Sequence, residues 1–244
     1  MENLCEWIGQ VAKKTETSDL LKLVADSTYC RTELLNRLWE RLVSLELRRS
    51  KRDMEMDYEC KSINRQFVRL ENALLAQYVK QQALPLKDHI TANFQPNCYT
   101  LEPVGNLRVR PYVLELLLGL AASLENCRGC GLVGSRILYG LYNQLVMHMY
   151  HCISETQTPF SVSEARQLEI DIDFIGTTLN EYETDETKNS LAAALSKLKI
   201  NTSKEVKESD ARALENWEEI KTNALNDAFN RSSLLLQCFT NKIN

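Results

Sequence analysis

Glycine and proline are scarce in this chain, eight and five among 244 residues. A turn-rich all-β protein needs many more chain breaks than that, so the shortage points to long helices with few interruptions. No uncharged apolar run is long enough to span a bilayer of about 30 Å, because the most apolar stretch, around Val113 to Ala122, carries Glu115. The start, Met1-Glu2-Asn3-Leu4-Cys5-Glu6, lacks the basic-then-apolar order of a secretory signal. Without secretion, the glycosylation patterns at Asn201-Thr202-Ser203 and Asn230-Arg231-Ser232 are accidental. Neither sign of charge dominates, with a formal net charge of −4, and no basic stripe interleaved with aromatics supports nucleic-acid binding. A phosphate-cradling glycine loop, a hydrolase elbow and an HExxH pair are all missing. These absences leave a cytosolic, non-enzymatic protein with no catalytic residue, no cofactor-binding residue and no metal ligand expected.

What is present is helical pattern. A chain of this length buries one large core or two small ones. Ser18-Asp19 is an N-cap signal before Leu20, Leu21, Leu23 and Val24, and Leu35, Leu38, Leu42 and Leu45 continue at spacings of three and four. Ile63, Phe67, Leu70, Leu74 and Tyr78 share one face, with Arg65, Arg69 and Glu71 turned elsewhere. From Leu84 to Arg108 the pattern breaks at Pro85, Pro96, Pro103 and Gly105. The expected division is therefore an N-terminal helical subdomain over 1–84, a connecting loop over 85–108 and a C-terminal helical bundle over 109–244.

Pro111 suits the first turn of a helix, where its missing N–H has no helical partner to lose. Val113, Leu116, Leu117 and Leu120 follow, then a turn with Gly129, Gly131 and Gly134, then a helix faced by Leu138, Leu141, Leu145 and Met149. Leu168, Ile170, Ile172 and Phe174 alternate as in a strand, while Leu168, Ile172, Ile175 and Leu179 fit a helix. A lone strand has nothing to pair with here, so helix is the reading. A shorter helix carries Leu191, Ala194, Leu195 and Leu198. After a charged stretch from Ser203 to Ser209, a final helix holds Leu214, Trp217, Leu225, Phe229 and Leu236.

Three constellations could carry chemistry. Cys127-x-x-Cys130 with His148, His151 and Cys152 offers thiols and imidazoles for zinc, or a thiol pair for redox work. One CxxC without a second pair is a short pattern, and the plain reading is a helix-connecting turn plus core or boundary histidines. The eight cysteines are otherwise scattered, mostly single on apolar faces, as small hydrophobes in a reducing compartment. Arg48, Arg49, Lys51 and Arg52 form the strongest charge cluster, a candidate surface for anionic lipid or an acidic partner helix. A solvated helix end is the competing account, since Asp53, Glu55, Asp57 and Glu59 follow at once. Glu169, Asp171 and Asp173 read as solvent-facing charge, because no nucleophile or buried partner is apparent.

Three stretches stand out in order along the chain: Leu20-Leu21-Lys22-Leu23-Val24-Ala25-Asp26-Ser27-Thr28-Tyr29-Cys30, Val109-Arg110-Pro111-Tyr112-Val113-Leu114-Glu115, and Gln167-Leu168-Glu169-Ile170. Lys188-Asn189-Ser190-Leu191-Ala192-Ala193-Ala194-Leu195 and the terminal Leu236-Gln237-Cys238-Phe239 complete the collinear set. Together these stretches resemble the exocyst component 2 family, the Ral-binding exocyst subunit, over its C-terminal helical region. The resemblance implies an all-α fold of elongated stacked helical bundles, as in multisubunit tethering complexes. It implies a non-enzymatic scaffold in vesicle tethering and docking during exocytosis and Golgi to plasma membrane transport. Other exocyst subunits would be the partners, with small GTPases or fusion machinery reached through the complex. The place would be cytoplasmic, peripheral at the plasma membrane or secretory vesicles. The family's Ral-binding domain has no counterpart here, so the chain is expected to be a fragment, a short isoform or a truncated paralogue that competes with the full subunit. The N-terminal helices and the final helix are the expected partner faces.

Overall fold

The computed structural model of the chain describes residues 17–46, 52–96, 103–130, 134–202 and 214–240. Among them the fold is all-α, with an isolated bridge between Phe160 and Thr202 as the one piece of β pairing. The charged stretch from Ser203 to Ser209, Gly131, and Arg48, Arg49 and Lys51 lie outside the described residues. The chain divides into two compact units, one of residues 1–81 and 126–132, the other of residues 82–125 and 133–244.

In the first unit, α1 (Thr17–Tyr29) passes through a π turn (Cys30–Leu34) into α2 (Leu35–Glu46). The next helix, α3 (Arg52–Asn93), contributes its residues up to Gln81. Leu20, Leu21 and Val24 of α1 are buried, as are Leu70, Leu74 and Tyr78 of α3. Polar ties set the direction: Thr17 Oγ1 donates to Gln81 Oε1 at 2.9 Å, and Arg31 Nε to Glu71 Oε1 at 2.8 Å. The two helices therefore run antiparallel. Glu71, expected to turn away, is only 4% exposed because it is the partner of Arg31. Cys127, at the end of α4 (Pro111–Gly129), belongs to this unit and is fully buried.

The helix α3 does not stop at Pro85. It continues to Asn93, so residues 85–93, expected in a connecting loop, are helical. Pro85 is tolerated on an exposed position of the helix, and Leu86 and Ile90 beyond it are buried. Burying these two side chains, at about 1.5–3 kcal/mol each, offsets the roughly 3 kcal/mol that a proline costs inside a helix through its lost hydrogen bond and ring clash.

The second unit packs the remainder of α3 and α4 with α5 (Gly134–Glu155), α6 (Val162–Thr178), α7 (Asp185–Ile200), α8 (Trp217–Arg231) and α9 (Ser233–Thr240). Short 3₁₀ turns at Val104–Asn106 and Asn180–Tyr182 join some of them. As the sequence predicts, α4 opens on Pro111 and buries Val113, Leu116, Leu117 and Leu120. Gly119 lets α3 approach, because a Cβ there would lie 2.6 Å from Leu86 Cδ2. The main partner of α5 is α7.

The ambiguous segment is the helix α6. Leu168, Ile170, Ile172, Phe174 and Ile175 are all at most 3% exposed, so α6 is buried on nearly every side. A helix enclosed in this way shows both the strand-like and the helical spacing at once. Its start is fixed by a capping box: the Glu164 N–H donates to Ser161 Oγ at 3.3 Å, and the Ser161 N–H to Glu164 Oε2 at 2.7 Å. Thr184 and Thr187 cap α7 in the same reciprocal way. The expected single final helix is two, α8 and α9, divided at Ser232. Phe229 of α8 packs on Phe174 with ring centroids 4.7 Å apart, and the Tyr182 hydroxyl ties Phe239 through its carbonyl at 3.2 Å.

Candidate functional site

At the centre of the second unit stands Asp171, completely buried in α6. An isolated carboxylate in that position would cost several kcal/mol, so it must be compensated. Arg110, the residue before the first turn of α4, supplies the charge: its Nε lies 2.5 Å from Asp171 Oδ2. The Arg110 backbone N–H donates to Oδ1 at 3.1 Å, Gln167 Nε2 to Oδ1 at 3.1 Å and the Tyr112 hydroxyl to Oδ2 at 3.2 Å. Burial pushes the Asp171 carboxyl above its ordinary value, against the pull of the guanidinium and these donors. The guanidinium also lies over the Tyr112 ring, 4.8 Å from its centroid. With its own carbonyl acceptor at Asn93, 3.4 Å away, Arg110 joins the end of α3, the start of α4 and the middle of α6.

Two residues to either side of Asp171, and so on the opposite side of α6, Glu169 and Asp173 meet α8. Lys221 lies 3.2 Å from Glu169 Oε1 and pairs directly with Asp173, while Arg166 Nη1 holds Glu169 Oε2 at 2.6 Å. Burial opposes the Glu169 charge, but the Arg166 hydrogen bond and the Lys221 charge hold its carboxyl below the usual range. Lys221 loses some ground to burial and regains more from Asp173 and Glu169, so its ammonium is held above its ordinary value. Arg166 stacks on Trp217 of α8 at 4.7 Å.

The acids expected to face solvent are therefore structural, Asp171 within the core and the other two in an interhelical clamp. The sequence did carry a signal for the first. An acid placed between Ile170 and Ile172, in a segment apolar at both helical and strand spacing, has no exposed face to occupy. Ser161-Val162-Ser163-Glu164 likewise spells the capping box before that run.

The thiols and imidazoles are arranged without activation. Burial pushes the Cys127 thiol up to about 11, which keeps it protonated and poorly nucleophilic at neutral pH. Cys130, half-buried, caps the same helix end, its N–H donating to the Cys127 carbonyl at 3.0 Å. His148 Nε2 lies 2.8 Å from Thr91 Oγ1 and 3.6 Å from Cys152 Sγ. Burial lowers the His148 value and raises that of Cys152. His151 is exposed beside Glu155 at 3.2 Å. Among the described residues no three His, Cys, Asp or Glu side chains are grouped to hold a metal ion. Of the basic cluster, Arg52 alone enters the description, as backbone at the start of α3.

The remaining candidate is a surface. Leu34, Leu38 and Leu42 follow one another at helical spacing and are 41%, 59% and 45% exposed. Tyr29, half-exposed, precedes them. Large apolar residues repeated every four positions ordinarily turn inward, so an outward stripe suits contact with another protein.

The family comparison matches residues 9–239 to the exocyst complex component Sec5 family. The chain belongs to that family. No curated protein and no solved structure matches it. The Sec5 family is one of tethering-complex subunits and not of enzymes. Exocyst, vesicle tethering and exocytosis, inferred from the resemblance, describe this family. No helix among the described residues is long and apolar enough to cross a membrane.

Proposed function

We propose that this Sec5-family chain is a non-enzymatic scaffold that joins the exocyst through its helices and acts in docking of secretory vesicles at the plasma membrane. The observation that carries the reading is the outward stripe of Leu34, Leu38 and Leu42 in a chain whose family assembles into a tethering complex. Covering a half-exposed leucine contributes about 1 kcal/mol, so three in line give a partner helix a useful anchor without destabilising the free chain. Within that family we read the chain as the C-terminal helical region of exocyst component 2. Its place is cytoplasmic, peripheral at the membrane through the complex, where small GTPases and fusion machinery are reached through other subunits. The basic run Arg48, Arg49, Lys51 and Arg52 is a second surface of the same kind.

Affinity capture of the tagged chain from cell extract, with co-purifying proteins identified by mass spectrometry, tests this. Other exocyst subunits are expected with the wild-type chain. They should be lost from the Leu38→Glu/Leu42→Glu variant, whose thermal unfolding should match the wild type because both positions are exposed. Capture unchanged by the double variant would remove the stripe from the account.

A further inference from the structure

Residues 107–110, between the first 3₁₀ turn and α4, belong to no helix, and Leu107 is extended at φ −63° and ψ 142°. Their side chains take opposite sides. Leu107 is buried and Val109 packs with it against Val104, Ile170 and Trp217, whereas Arg108 is exposed. The backbone divides in the same way. The Arg108 carbonyl accepts from Gln167 Nε2 at 2.7 Å, and the Arg110 N–H donates to Asp171 Oδ1, so both turn toward α6. In an extended chain successive residues aim their N–H and C=O groups at opposite edges, which puts those of Leu107 and Val109 on the other edge. Among the described residues neither makes a backbone hydrogen bond.

Leu107, Arg108, Val109 and Arg110 all line an open cleft of about 890 Å³. Three arginines line the cleft, Arg108, Arg110 and Arg231, against one carboxylate, Glu164. Glu164 is committed to capping α6 and Arg110 to Asp171. Arg231 shares its charge with Asp227 at 2.9 Å and is well exposed, and the Arg108 guanidinium has no partner among the described residues. The charge left over is positive, beside an unpaired strand edge.

We propose that this edge receives an extended acidic segment of a partner protein by strand addition. Main-chain hydrogen bonds to Leu107 and Val109 would supply affinity, and alternate carboxylates meeting Arg108 and Arg231 would supply selectivity. A strand would thus be completed on a protein whose own described residues form none. The inference goes beyond the scaffold reading and does not use the leucine stripe of α2.

The test uses the whole chain and a fluorescein-labelled pentapeptide, Glu-Val-Glu-Val-Glu with blocked ends, followed by fluorescence anisotropy and amide hydrogen exchange. Saturable binding is expected, weakened about tenfold or more by Arg108→Glu, a reversal at an exposed site that leaves the circular dichroism spectrum unchanged. At saturation the Leu107 and Val109 amides should exchange about tenfold more slowly, while that of Arg108 does not change. Absence of saturable binding would overturn the proposal, as would equal binding of the Lys-Val-Lys-Val-Lys analogue or an Arg108→Glu variant that binds as well. Displacement of the peptide by inorganic phosphate at equal concentration would make the cleft a small-anion site instead. Binding without protection of the Leu107 and Val109 amides would remove the strand pairing on which it depends.

Discussion

At Asp171, burial and pairing are in direct opposition. Its carboxylate is removed from water altogether, yet it is met by one guanidinium, two N–H donors and a phenol, so nearly every lone pair is used. A pair of this kind gives little net stability over well-packed apolar residues, but removing one partner strands the other. Asp171→Ala leaves Arg110 uncompensated at 13% side-chain exposure, and should lower the unfolding free energy by about 3–5 kcal/mol in urea titrations. The double replacement Arg110→Met/Asp171→Leu should recover most of that loss, because neither charge is left buried. A double variant as unstable as the single one would show that the hydrogen bonds, and not the stranded charge, dominate. Sequence periodicity could not reveal Arg110 as the partner, since the two residues lie on different elements and only tertiary packing brings them together.

Among the elements, α6 organises the second unit, and its link to α8 is electrostatic where its other faces are apolar. Glu169 is 12% and Lys221 19% exposed at the side chain, so water screens the clamp only partly. Glu169 is held below its ordinary value of 4.5, so its contribution is present above that value and is lost as pH falls through the lower, folded one. Lys221, held above its ordinary 10.5, contributes below that value and loses its part as pH rises past the folded one. The clamp is thus intact across the neutral range. Glu169→Gln should cost on the order of 2 kcal/mol at pH 7, and the difference in Tm from the wild type should close as pH is lowered from 5 to below 4. A gap independent of pH would mean that Glu169 acts by packing rather than charge. The element order itself was readable from spacing, and so was the start of α4 at Pro111. What spacing missed was the continuation of α3 through Pro85, because an isolated proline on an exposed face is overridden by Leu86 and Ile90. The break between α8 and α9 was missed too, as Ser232 is no strong helix breaker.

Over the whole molecule, what was legible was what depends on collinear pattern. The all-α class follows from the order of amphipathic runs and the exocyst reading from the resemblance of particular collinear stretches, whereas the acids at 169–173 were misplaced because their burial depends on partners distant in sequence. Charge at this scale decides between two occupants of the basic run. Each cation close to an anionic bilayer contributes about 1 kcal/mol, so Arg48, Arg49, Lys51 and Arg52 alone would give about 4 kcal/mol. Asp53, Glu55, Asp57 and Glu59 follow directly, so residues 48–59 hold four cations and four acids and sum to zero. The chain as a whole carries −4. A membrane surface feels all of these charges within a Debye length of about 8 Å, while a docked helix can meet the basic end alone. The isolated chain should therefore remain in the supernatant when sedimented with phosphatidylserine-rich vesicles at 0.15 M salt, and reach membranes only through its partners. Co-sedimentation that Arg48→Glu/Arg49→Glu abolishes would instead make the run a lipid surface, with the acids that follow it turned away from the bilayer.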